Sequence, residues 1–327
     1  MKPIFTEVIV ALMMGLLLPA LILGAAVTLR DDTVDETIPA EQPQETGETL
    51  AEGEKLTISF RTGELTVVTM DMDEYLVGVV CAEMPASFAP EALKAQAVVA
   101  RTYALKMKTM GDKHGDGSVC ADHTCCQAYV DEEGYLARGN TPQDYEKIRR
   151  AVYETSGYVL TYEGELIEAT YFSCSGGITE DAAAVWGSDY PYLRSTPSPG
   201  EENAAYYTDS IYISKQTLCE ALGIRLNDSP ETWFGLATYT AGGGVNTMVI
   251  GGEEFRGTYL RIALGLRSTM FSVEADSGGA TFTTRGYGHR VGMSQYGADA
   301  MAESGSDFAR ILAHYYQGTE LTVWVDN

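Results

Sequence analysis

Four short stretches of this chain hold residue types that do chemistry. The first is "VGVVCAEMPASFAPEALKAQAVVARTYALKMK", Val77 to Lys108. Its acid Glu83 ends an apolar run and stands two residues before Pro85. A carboxylate taken out of water is costly unless it is paired or kept protonated. At the C-terminal end of a helix, the dipole and the apolar neighbours Val79, Val80 and Met84 would both raise its pKa. A general acid working near neutral pH needs such a shift. The competing reading is an ion pair between Glu83 and Arg101 that only locks two helices. Pattern alone leaves both open, and Gln96 and Arg101 are polar residues of the second helix able to face the same cleft.

The second stretch, "HGDGSVCADHTCC", puts His114, Cys120, His123, Cys125 and Cys126 within thirteen residues. Thiolates and imidazoles suit tetrahedral zinc, although the spacing matches no zinc finger. The alternative is a disulfide. The loop has few large apolar residues, so a metal would give it a shape, and the site reads as structural. Cys81 and Cys219 lie in apolar settings and read as buried thiols. The third stretch is "TYFSCSGG", Thr170 to Gly177. It lacks the G-x-S-x-G elbow of a nucleophilic serine, and its glycines suit close backbone approach to a ligand. The fourth is "GYGHRVGMSQYGADAMAESG", Gly286 to Gly305. Glycines alternate with His289, Gln295 and Tyr296, with no G-K-[ST], so a sugar-binding surface fits better than a phosphate cradle.

The elements that must position these residues follow from pattern. Leu56 to Met70 reads as two strands about Thr62-Gly63. Asp71 or Asp73 can cap a helix through Met84, stopped by Pro85. Pro90-Glu91 starts a second helix, running to about Lys108. Helices are expected over Thr141–Thr155, Ser214–Gly223 and Asp307–Tyr316. "GYVLTYEGELIEATYF" predicts two strands about Glu163-Gly164, and "LTVWV" a closing strand. The class is α+β, helices with antiparallel strands in one extracytoplasmic domain, without a βαβ rhythm.

The whole chain has 327 residues, 45% hydrophobic, with a formal net charge of -24. Such a surface repels nucleic acid, which is therefore excluded as a partner. Val8 to Val27 is twenty residues without charge, about 30 Å as a helix. Residues 1–30 are expected to be an uncleaved membrane anchor rather than a signal peptide, with the rest of the chain beyond the membrane. Asp31 to Glu54 holds nine acids and no Lys or Arg. Residues 31–55 are thus a disordered linker, and 56–327 the catalytic domain.

"DEYLVGVVCAEMPASFAPEALKAQAVVARTYAL", "TYFSCSGGITED", "VWGSDYPYLRS" and "GHRVGMSQYGADAMA" occur in this order. In them the chain resembles the stage II sporulation protein D family, which includes amidase-enhancer relatives. That resemblance implies a lytic transglycosylase cutting peptide-stripped glycan strands of peptidoglycan during forespore engulfment. It implies a cell-wall amidase or endopeptidase and a membrane protein of the engulfment machinery as partners. It places the catalytic acid on Glu83 and the groove on Lys94, Arg101, Ser173, Ser175, Gly176, His289, Gln295 and Tyr296. It implies structural zinc on His114, Cys120, Cys125 and Cys126. A histidine is usual at the Cys125 position, which leaves His123 as a substitute. Arg290 stands where glycine is more usual, and is expected to alter the groove. Other classes are a non-catalytic glycan-binding activator of an amidase, and a zinc hydrolase.

Overall fold

The computed structural model describes residues 56–62, 66–111 and 113–325. The expected anchor and linker lie outside these residues. Among the described residues no helix is long and apolar enough to cross a membrane. The class is mixed α and β, with mostly antiparallel sheets.

Strands β1 (Thr57–Thr62) and β2 (Thr66–Asp71) pair antiparallel. Asp71 ends β2 and caps helix α1 (Met72–Glu83), accepting the Asp73 and Glu74 N–H groups. The helix stops at Met84, since Pro85 cannot continue it. Tyr75, Leu76, Val79 and Val80 are fully buried, as a helix apolar all round requires. Helix α2 (Pro90–Met110) has proline at N1 and ends on Gly111 in the left-handed region, at φ 68°. Its buried alanines Ala92, Ala95, Ala97, Ala100 and Ala104 let neighbours pack closely.

Strand β3 (Val119–Cys120) in the Cys/His loop joins β1 in parallel. The short helix α3 (Glu132–Ala137) has no apolar period and was not expected from pattern. Helix α4 (Pro142–Glu154) starts with a reciprocal cap between Thr141 and Asp144. Strands β4 (Tyr158–Tyr162) and β5 (Glu165–Leu166) form the expected hairpin. Glu163 and Gly164 both have positive φ, 53° and 83°, as a two-residue type I′ turn requires. The expected long second strand is broken, because β6 (Tyr171–Phe172) leaves this sheet and pairs parallel with Met293–Ser294.

Helix α5 (Ala182–Trp186) precedes a second apolar cluster in the same compact unit. That cluster gathers strand β7 (Thr208–Ser214) and helix α6 (Lys215–Leu222), capped by Ser214 and stopped at Gly223 as expected. It continues through β8 (Phe234–Tyr239), β9 (Val245–Ile250) and β10 (Glu253–Arg256), an antiparallel meander. Helix α7 (Gly257–Ala263) leads to β11 (Phe271–Ala275) and β12 (Gly279–Arg285), which pairs with β11 and β7. Leu218, Ile250, Leu260 and Phe282 fill its centre. The chain then returns through β13 (Met293–Ser294), α8 (Gln295–Glu303) and α9 (Phe308–Tyr315). Strand β14 (Glu320–Val323) closes on β4.

Two expected groove residues belong to this framework instead. Arg101 is fully buried and pairs with Asp73 at 2.8 Å. It also donates to the carbonyls of Thr155 at 2.7 Å and Tyr158 at 3.1 Å. It therefore ties the start of α1 to the end of α4, and the alternative of a Glu83–Arg101 pair is set aside. Lys94 pairs with Glu91 at 2.9 Å and Glu154 at 2.8 Å, joining α2 to α4 away from Glu83.

Replacing Arg101 with alanine leaves Asp73 mostly buried and uncompensated. Urea unfolding should show a loss of about 3 kcal/mol or more. A groove role would instead leave the unfolding midpoint in place and change only ligand affinity.

Candidate active site

Glu83, the last residue of α1, faces a cleft of about 1080 Å³. Its walls come from the Cys/His loop, β6 and the turn after it, α5, α7 and the glycine-rich loop before β13. Burial is the main influence on Glu83 and raises its pKa above the ordinary carboxyl value. Four groups oppose that shift. The Ala128 N–H donates to Oε1 at 2.9 Å, the Tyr171 hydroxyl and the Gln295 amide bond to the carboxyl, and His123 acts through charge.

These groups are themselves held. Gln127 donates to the Tyr171 hydroxyl at 3.0 Å and accepts from Tyr75 at 3.4 Å. Gln295 is braced from behind by Gln96, at 3.5 Å. Gln96 is fully buried, so it supports the cleft without facing it. Tyr171, in β6, and Ser173, just beyond it, both line the cleft with Glu83.

The late loop is divided. Gln295 and His289 reach the cleft, whereas Tyr296 packs edge-on against Phe88, 5.0 Å between ring centres. His289 accepts the Val291 N–H at Nδ1, 3.2 Å, and its ring lies 5.2 Å from that of Trp186. Burial, aided by the nearby Arg261, lowers its pKa to about 4, so it is neutral at pH 7. Tyr296 is thus corrected from groove to packing residue.

Ser175 and Gly176 are corrected too. Both backbone N–H groups donate to the buried Glu201 carboxylate, at 2.8 and 3.0 Å. The Ser175 hydroxyl donates to the same oxygen at 2.8 Å, and the Cys174 thiol lies 3.2 Å from it. Gly176 sits at φ 76° against the chain at Arg285, where a Cβ would come within 2.9 Å of the backbone. Gly176 therefore serves close approach of this chain to itself, not to a ligand.

His114, Cys120, Cys125 and Cys126 place their ligand atoms within 4.8 Å of one another. Cys125 Sγ lies 3.7 Å from His114 Nε2 and 3.9 Å from Cys126 Sγ; Cys126 Sγ lies 3.5 Å from His114 Nε2. Tetrahedral zinc with its usual bond lengths would space its ligand atoms by about 3.5 to 3.8 Å. The donor set and spacing fit that ion. The cysteines are free thiols, so a disulfide is not formed. His123 stands outside the cluster and lines the cleft. Cys81 is buried as expected, while Cys219 is only half-buried.

A family profile described as stage II sporulation protein matches residues 61–162, which hold Glu83 and the Cys/His cluster. The chain is 39% identical to stage II sporulation protein D of Bacillus amyloliquefaciens, over 80% of this chain and 77% of the relative. It is 38% identical to the Bacillus subtilis protein of that name, covering 80% and 78%. The chain belongs to the stage II sporulation protein D family. It is also 33% identical to an amidase enhancer of Bacillus subtilis, over 76% of this chain and 40% of the relative.

Two departures from the family pattern find their place in the structure. Cys125 itself joins the cluster, so His123 need not substitute. Arg290 does not enter the groove. It is fully buried at φ 67° and pairs with Glu180 at 3.2 Å. It also donates to the carbonyls of Ser175, Ile178 and Gly242, locking the turn after β6 to the β8–β9 loop. Glu180 is thereby committed to structure.

Several cleft residues escaped sequence reasoning. Tyr171 was signalled by its place inside the "TYFSCSGG" stretch, two residues before Ser173. Gln127 and Ala128 directly follow the last thiol of the Cys/His loop. Glu168, paired with Lys106 at 3.6 Å, and Trp186 carried no motif of their own. Arg261 comes from α7 in the second cluster, and only the fold brings it here.

Because its folded pKa is raised, an ionised Glu83 opposes folding. The sign follows: stability contributed by the protonated form is present at low pH and lost as pH rises through the folded pKa. Glu83→Gln should therefore melt at a higher temperature than wild type at pH 7. The difference should vanish below the ordinary carboxyl value of 4.5 in thermal melts across pH.

Proposed function

We propose that this family member is a membrane-anchored lytic transglycosylase acting on peptidoglycan in sporulation. The observation carrying this reading is Glu83: a partly desolvated acid in a large cleft, hydrogen-bonded by groups suited to its ionised form. Protonated Glu83 donates to the oxygen between N-acetylmuramic acid and N-acetylglucosamine. An oxocarbenium-like or oxazolinium state follows. The Ala128 N–H, Tyr171 hydroxyl and Gln295 amide then stabilise the carboxylate. The carboxylate takes the proton of the sugar's own C6 hydroxyl, which closes a 1,6-anhydro ring. One acid serves both steps, whereas the paired-carboxylate route uses water and leaves a reducing end.

Zinc would be held by His114, Cys120, Cys125 and Cys126, and supplies shape rather than bond breaking. The loop it would order runs directly into Gln127 and Ala128. Val8 to Val27 is proposed as a single span that keeps the domain on the outer side of the membrane. The relative named amidase enhancer motivates a second reading, a glycan-binding activator of a cell-wall amidase.

Incubation of the soluble domain with peptide-free glycan strands should yield anhydro ends by mass spectrometry. Glu83→Gln should lower their formation at least about a hundredfold, the usual scale of a general acid–base group. Full activity in that variant would remove Glu83 from its role. Reducing ends would indicate hydrolysis by paired acids. Glycan binding and amidase stimulation that survive Glu83→Gln, without anhydro product, would favour the activator.

Chelation should lower the melting temperature and the activity together, both restored by zinc. Loss of activity at an unchanged melting temperature would instead point to a zinc hydrolase.

A further inference from the structure

Two cations line the cleft without a role in the mechanism, Lys113 and Arg261. Lys113 is engaged by the Tyr103 hydroxyl, at 2.8 Å, and by the Cys125 carbonyl. Arg261 stands on α7, and its side chain reaches the cleft wall beside Tyr287 and His289. Its Nε donates to the Arg267 carbonyl at 3.2 Å. No carboxylate pairs with it among the described residues, and the opposite-charge influence on it comes from the Tyr287 phenol. Neighbouring cations are engaged differently. Arg267 pairs with Asp209 at 2.6 Å and lies over the Tyr206 and Tyr287 rings, at 4.3 and 4.9 Å. Arg290 has Glu180, and Lys106 has Glu168.

Acids outnumber bases 46 to 22 in this chain. A half-buried guanidinium without one, facing a large cleft, is a position left for an anion brought by the ligand. With Nε held, the two terminal nitrogens remain for a carboxylate, which a guanidinium fork can bind with two parallel hydrogen bonds. Burial lowers the Arg261 pKa, a cost that a bound carboxylate would offset.

The ligand class rests on the glycan reading above. N-acetylglucosamine carries no carboxyl group. Muramic acid carries a lactyl ether whose carboxyl is free only where the stem peptide is gone; elsewhere that carboxyl is a neutral amide. We propose that Arg261 binds the free lactyl carboxylate of a peptide-free muramic acid and is the residue by which this cleft selects stripped strands.

The test measures binding by calorimetry in the Glu83→Gln protein, so that no ligand is consumed. The probes are peptide-free glycan oligomers, the same oligomers with lactyl carboxylates converted to methyl amides, chitooligosaccharides of equal length, and peptide-bearing strands. Adding Arg261→Gln should weaken binding of the peptide-free oligomers by roughly tenfold to a hundredfold, the scale of hydrogen bonds to a charged group. Binding of the amidated oligomers and of chitooligosaccharides should not change. Arg261→Lys should restore part of the loss, as a point charge without the fork. Equal weakening on every probe would make Arg261 structural and overturn the proposal. A loss confined to peptide-bearing strands would move the carboxylate to the peptide and overturn it as well. Glycan binding by the wild-type protein that yields no anhydro product would leave Arg261 in place while removing the catalytic reading. Absence of binding to any glycan removes both.

Discussion

A general acid in an open cleft must be dry enough to hold its proton and bonded well enough to release it. Glu83 meets both demands because its surroundings are mixed. Burial raises its pKa, while Ala128, Tyr171, Gln295 and His123 pull the other way. They come from three parts of the chain, with His123 and Ala128 both from the Cys/His loop and its end, and Tyr171 and Gln295 have supports of their own. Tyr171 depends on Gln127, which depends on Tyr75 in α1 itself. Gln295 depends on Gln96 in α2. The apolar burial of α1 fixes the acid, and these polar contacts fix its balance.

The same balance explains where the strong charges are not. A guanidinium against Glu83 would hold the acid ionised and remove its proton at neutral pH. Arg101 instead meets Asp73, ten residues before Glu83, about 15 Å away along the helix. Its charge is neutralised at the opposite end of α1, where it joins three helices. Arg290 is likewise met by Glu180 beneath the turn after β6. Both are buried ion pairs with backbone carbonyls as further acceptors, the form in which a buried cation is tolerable. Arg290 holds the turn that follows β6 in the cleft wall, while Arg261 and Lys113 line the cleft without meeting a carboxylate among the described residues.

Much of the framework was legible in the sequence because it is encoded locally. Asp71 before α1, Pro90 at the start of α2, Thr141 before α4, Glu163-Gly164 and Ser214 with Gly223 are all signals read within a few residues. Glu83 was legible as an anomaly: one acid in an apolar run before a proline. The four grouped His and Cys residues were legible from density within one loop. Partnerships across the fold were not. Arg101 could serve Glu83 or Asp73 equally well by spacing, and only the helix crossing decides. Ser175 and Gly176 looked like ligand contacts, but their partner Glu201 lies 25 residues on, without a motif. β6 was merged into the preceding hairpin because its true partner, β13, lies more than a hundred residues later.

The Cys/His loop shows how a region far from bond breaking can still govern the acid. Residues 113–127 contain a two-residue strand and few large apolar groups, so packing supplies little of their order. Four ligand atoms drawn within 4.8 Å supply the alternative. The cluster ends at Cys126, Gln127 orients Tyr171, and Ala128 donates directly to Glu83. On the proposed reading, a metal that orders the loop also fixes two of the contacts that oppose burial at Glu83. Loosening the loop would weaken these contacts and leave desolvation less opposed. The acid would then hold its proton more tightly and give it up less readily. A structural metal would in this way set the acid's strength without touching the glycan.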